Sequence, residues 1–244
     1  MRDFQLTYKQ YGERSILIEW PSRIDKNILV DIIFFKEKLE SLLFKETIEV
    51  KSAYSSILIS YNSTIENIYD KISTLKSLYS SKINLLLKPT VLWRIPVCYD
   101  EEFGIDLVDI SNQKRISKQD IINMHSEAIY TVFFIGFLPG FLYLGGLNNA
   151  ISFPRKSTPR LKISKGAVAI GENQTGIYPS QSPGGWNVIG NTPIKFFDIN
   201  KKVPCFASPG DKIQFYPITL KKHRDIATLV NAGVYQMESE VVRG

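Results

Sequence analysis

FFIGFLPGFLYLGGL (133–147) and FPRKSTPRLKISKGAVAIGENQTGIYPSQSPGGWNVIGNTPIKFFD (153–198) decide the fold. Between Phe133 and Asp198 lie ten of the chain's fifteen glycines and six of its twelve prolines. Both residues penalise a helix interior, so long helices are excluded here. The apolar runs between them, AVAI (167–170) and IKFF (194–197), have the length and branching of buried strands. Short strands joined by tight turns predict a twisted barrel or sandwich whose loops can line a pocket. Function is expected in this stretch.

At 244 residues the chain makes one large or two ordinary domains. Apolar residues at 44% and charged residues at 22% are those of a soluble globular protein. The net charge of +6 is spread along the chain, and Lys221–Arg224 is the one short basic run, which argues against a nucleic-acid partner. Cys98 and Cys205 form no CxxC or Cys/His cluster, so neither a disulfide framework nor a metal site is signalled, and a reducing cytoplasm fits best. The first residues lack the apolar core of a signal peptide. Tyr130–Leu147 is eighteen residues without a charge, near the lower limit for a membrane span. Gly136, Pro139, Gly140, Gly145 and Gly146 interrupt it, and buried strand plus loop is the expectation, with no membrane.

Upstream, residues 1–89 read as a small α/β domain. SILIEW (15–20) alternates as a half-buried strand, and Ile28, Ile32, Phe35, Leu39 and Leu42 predict a helix from about Asp25 to Phe44. TIEV (47–50) and SSILISY (55–61) are strands. Ser63–Glu66 has the form of a capping box opening a second amphipathic helix. The order β-β-α-β-β-α gives a small sheet with helices on one face. LLLKP (85–89) leads into the strand VLWRIPVCY (91–99), where a second domain, 90–218, begins. In it, Ser117–Asp120 caps a short helix that carries His125 on its apolar side, and KIQFYP (212–217) is a late strand. Residues 219–244 are a tail with a short helix around 226–230 that then frays. The fold class is α+β.

The phosphate-loop, dinucleotide, zincin and serine-hydrolase signatures are absent. His125 either transfers protons or is a core histidine bonded at a helix end. Pro154-Arg155 and Pro159-Arg160 each launch an arginine from stiffened backbone. That suits a carboxylate or phosphate, unless the arginines pair with Asp198 or Glu172. Gln174, Thr175 and Tyr178 stand in a turn that either reads an amide or carboxylate or is a solvated hairpin. Gly184-Gly185 allows close backbone approach, and Trp186 either walls a ligand or plugs the barrel end.

IGFLPGFLYLGGL, FPRKSTPRLKISKGAVAIGENQTGIYP and SPGGWNVIGNTPIKFFD resemble the signature segments of the 5-oxoprolinase B-subunit family, also called allophanate hydrolase subunit 1. RIPVCYDEEFGIDL and NMHSEA fit the same pattern. The resemblance implies a small N-terminal α/β domain followed by a cyclophilin-like β-barrel. It implies a subunit of an enzyme that opens 5-oxo-L-proline to L-glutamate with ATP as co-substrate, beside subunits A and C and inactive alone. A relative that inhibits a sporulation histidine kinase adds a binding-module alternative, and a urea or allophanate pathway role is a third. His125, Arg155, Arg160, Gln174, Tyr178, Gly184, Gly185 and Trp186 occupy the matching motif positions. His125 is thereby the catalytic candidate and the others are ligand-binding candidates. Leu142, where relatives often carry proline, and Glu172-Asn173 depart from the pattern.

Overall fold

The computed structural model describes residues 4–43, 45, 47–81 and 89–242. The chain divides into two compact units, 1–88 and 89–244. The LLL run at 85–87 lies outside the described residues.

In the first unit, β1 (Thr7–Gln10), β2 (Ser15–Glu19), β3 (Thr47–Ser52) and β4 (Ser56–Tyr61) form an antiparallel sheet in the order β1-β2-β4-β3. Helix α1 (Lys26–Leu42) is capped by Asp25, and its predicted stripe of Ile28, Ile32, Phe35 and Leu39 packs with Ile16, Ile18, Ile57 and Ile59. Helix α2 (Ile68–Ser80) starts later than the capping box implies: Asn67 accepts from the amides of Tyr69 and Asp70. The Ile65 amide is bonded to the Glu13 carbonyl and its side chain is buried, which holds residues 63–66 as the chain's entry to the helix rather than its first turn.

The second unit holds an eight-stranded sheet whose strands and helices run in chain order as follows. β5 (Thr90–Val97) is followed by α3 (Leu107–Lys114), α4 (Lys118–Glu127), β6 (Ile129–Ile135) and β7 (Leu142–Gly145). Then come β8 (Arg160–Ile163), β9 (Ala167–Gly171), β10 (Gln174–Ile177), β11 (Ser182–Gly184), β12 (Asn187–Asn191) and β13 (Lys212–Pro217). Helix α5 (Leu220–Asn231) and β14 (Ser239–Val242) complete it. The sheet order is β12-β9-β10-β7-β6-β13-β5-β14, with β8 and β11 paired separately. Neighbours are antiparallel except β13 and β5, which run parallel. The uncharged stretch 130–147 is two strands and a turn, and no helix among the described residues is long and apolar enough to cross a membrane.

Among the described residues the sheet has no continuous ladder between its β12 end and β5 that would close it into a barrel. Cys98, one residue past β5, and Asn191, the last of β12, exchange backbone hydrogen bonds of 2.8 and 2.9 Å, but this is one bridge and not a ladder. The seam ends there because β5 is occupied elsewhere, by β13 on one side and by β14 on the other. The short helix expected around residues 226–230 is a capped helix of twelve residues, Leu220–Asn231, and the fraying expected after it gives way to that edge strand. Thr219 accepts from the Lys222 amide, while Ile226 is buried in the core.

Candidate functional site

Alternation along the central strands sorts the second unit's side chains onto two faces. Val168, Ile170, Ile177, Leu142 and Leu144 enter the main core beneath the helices. Ala167, Ala169, Gly171, Gly176 and Tyr143 lie on the opposite face, where small residues make a floor. Trp186 lies flat on that floor: a Cβ on Gly171 would stand 2.6 Å from the indole, and one on Gly176 3.0 Å. Phe141 and Tyr143 meet its ring edge-on at 5.6 and 5.9 Å, and Phe134 stacks on Tyr143 at 4.2 Å. Tyr178 is buried beneath, edge-on to Phe141 at 5.1 Å, with the Trp186 amide bonded to its hydroxyl. A side chain at Gly184 would run into that hydroxyl, whereas Gly185 has ordinary clearance. The bare backbone at Gly184 thus serves Tyr178.

Phe153 and Glu172 exchange backbone hydrogen bonds of 3.0 and 2.6 Å, which brings the start of the Pro-Arg stretch to the turn between β9 and β10. Glu172 turns the chain with φ of 59°, a left-handed conformation uncommon outside glycine. Gln174 follows, half-buried, and its carboxamide makes no hydrogen bond among the described residues. Arg155 is exposed and has no ion pair among the described residues. It is close enough to act on the phenols of this face. Burial pushes Tyr143 and Tyr178 up, and the Arg155 guanidinium draws both part of the way back. An unpaired guanidinium, an unpaired carboxamide and an aromatic wall therefore gather at one end of the sheet. That combination suits a small ligand with a carboxylate, an amide and an apolar ring.

The doubled Pro-Arg step divides at Arg160. Its guanidinium grips Asp106 through two bonds of 2.7 and 2.6 Å, and Lys156 adds an ion pair at 2.8 Å. The Val188 amide donates to the same carboxylate at 2.7 Å. Burial alone would raise the Asp106 carboxyl, but the bonds from Arg160, Lys156 and Val188 outweigh it and hold the group below its ordinary range. Arg160 is thus committed to the fold, with Asp106 and not Asp198 or Glu172 as partner; Asp198 pairs with Lys195 at 2.9 Å.

His125 has the geometry of the core alternative. It is fully buried and stacked on Phe215 at 4.7 Å. The Thr175 hydroxyl donates to the Ala169 carbonyl at 3.0 Å, so it accepts from His125 Nε2–H at 2.9 Å. Nδ1 is then left to accept from the Tyr99 hydroxyl at 2.7 Å. Burial drives the imidazole pKa down to about 3, and the ring is neutral. Thr175, adjacent in sequence to Gln174, faces the core and not the aromatic face.

Sequence reasoning missed Asp106, Tyr143 and the partners of His125. Asp106 did leave a trace: a lone acid between Ile105 and Leu107 is the pattern of a buried, paired carboxylate. The first unit, where no polar cluster was legible, carries an open polar cleft of about 830 Å³ with Lys45 and Lys71 set against Glu66 and Asp70. Among the described residues no group of three or more His, Cys, Asp or Glu is placed to hold a metal.

The model of the carboxyltransferase domain, subdomain C and D, matches residues 6–207. The chain is 49% identical over 121 residues to the B subunit of 5-oxoprolinase from Haemophilus influenzae, covering 50% of this chain and 57% of that protein. It is 42% identical over 129 residues to the B subunit of 5-oxoprolinase from Bacillus subtilis, covering 53% of this chain and 54% of that protein. The matched region thus spans about half the length of these curated relatives. The crystal structure of Kluyveromyces lactis urea carboxylase superposes with a TM-score of 0.81 at 22% identity, over 98% of this chain and 24% of that one; this is a likeness of fold alone.

Proposed function

The chain belongs to the carboxyltransferase family of subdomains C and D, and on that premise we propose that it is the B subunit of an ATP-dependent 5-oxoprolinase. The observation that carries the reading is the 42% and 49% identity to curated B subunits. In this role the chain works in the cytoplasm with subunits A and C, and its second unit is a cyclophilin-like barrel opened along one seam.

The chemistry fits the aromatic face. A lactam amide is a poor electrophile, and transfer of a phosphoryl group from ATP to its oxygen opens the ring carbon to water. ADP leaves at the transfer, and water adds to the activated carbon. The C–N bond then breaks with a proton delivered to nitrogen, and loss of inorganic phosphate leaves the amine and the carboxylate of L-glutamate. On this chain, Arg155 holds the substrate carboxylate, the Gln174 carboxamide pairs with the lactam amide, and the partly buried Tyr143, backed by the buried Trp186, walls the ring. His125 takes no part in proton transfer, since both ring nitrogens are already bonded inside the core.

Reconstitution tests this. The chain alone should show no 5-oxoproline-dependent ATP hydrolysis, and addition of subunits A and C should produce it. Robust turnover by the isolated chain, or none by the three-subunit mixture, would refute the proposal.

A further inference from the structure

Arg155 carries an exposed side chain on a backbone that is fixed from both sides. The direction in which that side chain leaves is set by the two peptide planes flanking its Cα. The plane between Pro154 and Arg155 is held through its carbonyl, which accepts from Asn187 Nδ2 at 2.8 Å. The plane between Arg155 and Lys156 is held through its N–H, which donates to the Gly185 carbonyl at 2.7 Å. Upstream, Phe153 is bridged to Glu172; downstream, the Lys156 ammonium meets Asp106 at 2.8 Å.

Asn187 is the side chain among these restraints that ties two separate segments together. It lies in β12, paired with Ile170 of β9, and its Nδ2 makes a second, longer bond of 3.3 Å to the Ile170 carbonyl. The carboxamide is thus anchored on the strand that runs through the Glu172 turn to Gln174, and it also grips the arm that bears Arg155. An amide nitrogen with two hydrogens can serve two carbonyls at once, which neither a carboxylate nor an aliphatic side chain can do. At 2% exposure Asn187 holds the arm and is not itself a ligand contact.

We propose that Asn187 is the positioning residue for Arg155: it fixes the peptide from which the arginine leaves, so that an anionic substrate meets the guanidinium already placed relative to Gln174. This rests on the reading of Arg155 as the group that holds the substrate carboxylate. A charged side chain on an ordered backbone binds without the entropy loss of ordering that backbone at each binding event.

The KM for 5-oxoproline in the three-subunit mixture tests the assignment, with Asn187→Ala, Arg155→Ala and the double variant. Asn187→Ala should raise KM about tenfold, the equivalent of ordering one residue's backbone on binding. The kcat should change little, because the lost restraint serves ground state and transition state alike. A merely structural role moves the other quantity: partial unfolding removes active molecules and lowers apparent kcat while KM holds. In the Arg155→Ala background, Asn187→Ala should add almost nothing to KM. A KM unchanged in Asn187→Ala, or raised equally with and without Arg155, overturns the positioning role and leaves the subunit reading standing. A KM unchanged in Arg155→Ala refutes the ligand role of Arg155 and the positioning role with it. A mixture without turnover refutes the subunit reading and both roles. Should Asn187→Ala melt below the assay temperature, Pro154→Gly decides. This exposed change loosens the arm just before the same peptide and should raise KM severalfold only while Arg155 is present. An unchanged KM there overturns the proposal.

Discussion

Arg160 and Asp106 form an end-on pair, two hydrogen bonds of 2.7 and 2.6 Å, around a carboxylate that is 1% exposed. The pair ties β8 to the loop before α3, and the Val188 amide on the same carboxylate ties in β12. Removing the arginine strands a buried charge with Lys156 as its remaining cation. Arg160→Ala should therefore lower stability by about 3–5 kcal/mol, the range for breaking a buried ion pair. Thermal and urea unfolding of the variant measure it, and a change below about 1 kcal/mol would remove the pair from the fold's support.

The same carboxylate makes the second unit acid-sensitive. Because the Asp106 pKa is held below its unfolded value, the group contributes stability that is fully present above the unfolded pKa, about 3.9. That stability is lost as pH falls through the folded pKa. Asp106→Asn should flatten the acid limb of the stability curve and lower its neutral plateau, since Arg160 and Lys156 then face no charge. Equilibrium unfolding at a series of pH values from neutral to strongly acidic compares the two proteins.

His125 acts over a different window. Its folded pKa of about 3 lies below the ordinary value of 6.5, so the unfolded chain binds a proton that the folded chain refuses. Between these values stability should rise with pH, by about 1.4 kcal/mol per unit for one proton. Nitrogen NMR should show a neutral ring protonated at Nε2 throughout that window. An imidazolium signal near pH 6 in the folded protein would contradict the buried geometry.

Much of the fold was legible because its causes are local. The α1 stripe, the Ser117 cap with its 3.0 Å bond to the Asp120 amide, and the strands at 167–170 and 212–217 all follow from periodicity or capping chemistry. The open seam was not legible, since nothing in the β5 sequence says that β14 will occupy its other edge. The aromatic and glycine residues of the aromatic face announced themselves by composition. The separation of the two arginines did not: Pro154-Arg155 and Pro159-Arg160 look equivalent, and only the fold brings Asp106, 54 residues upstream of Arg160, to one of them. The helical spacing that puts His125 on the apolar side of α4 is plain in the sequence, but a helix pattern cannot tell whether such a histidine reaches a cavity or another strand.

Packing at the tryptophan can be tested without any substrate. A methyl group on Gly171 would stand 2.6 Å from the indole of Trp186, and neither the β9 backbone nor the wall of Phe141 and Tyr143 leaves an easy retreat. Gly171→Ala should destabilise the second unit by about 1–3 kcal/mol, the usual range for overpacking, and shift the Trp186 emission as the ring lifts from the floor.

Arg155→Ala completes the contrast with Arg160. The side chain is exposed and unpaired among the described residues, so its loss should leave melting within the small range of ordinary surface substitutions, about ±0.5 kcal/mol. If it holds the substrate carboxylate, the variant forfeits a charge-assisted contact of about 1.5–3 kcal/mol. That is on the order of a tenfold or greater rise in KM for 5-oxoproline in the reconstituted complex. Arg155→Lys should recover only part of the loss, because a lysine keeps the charge but not the two-pronged grip. The opposite pattern, with melting lowered and KM unchanged, would mean that Arg155 supports the fold as Arg160 does, and the ligand face would have to be sought elsewhere.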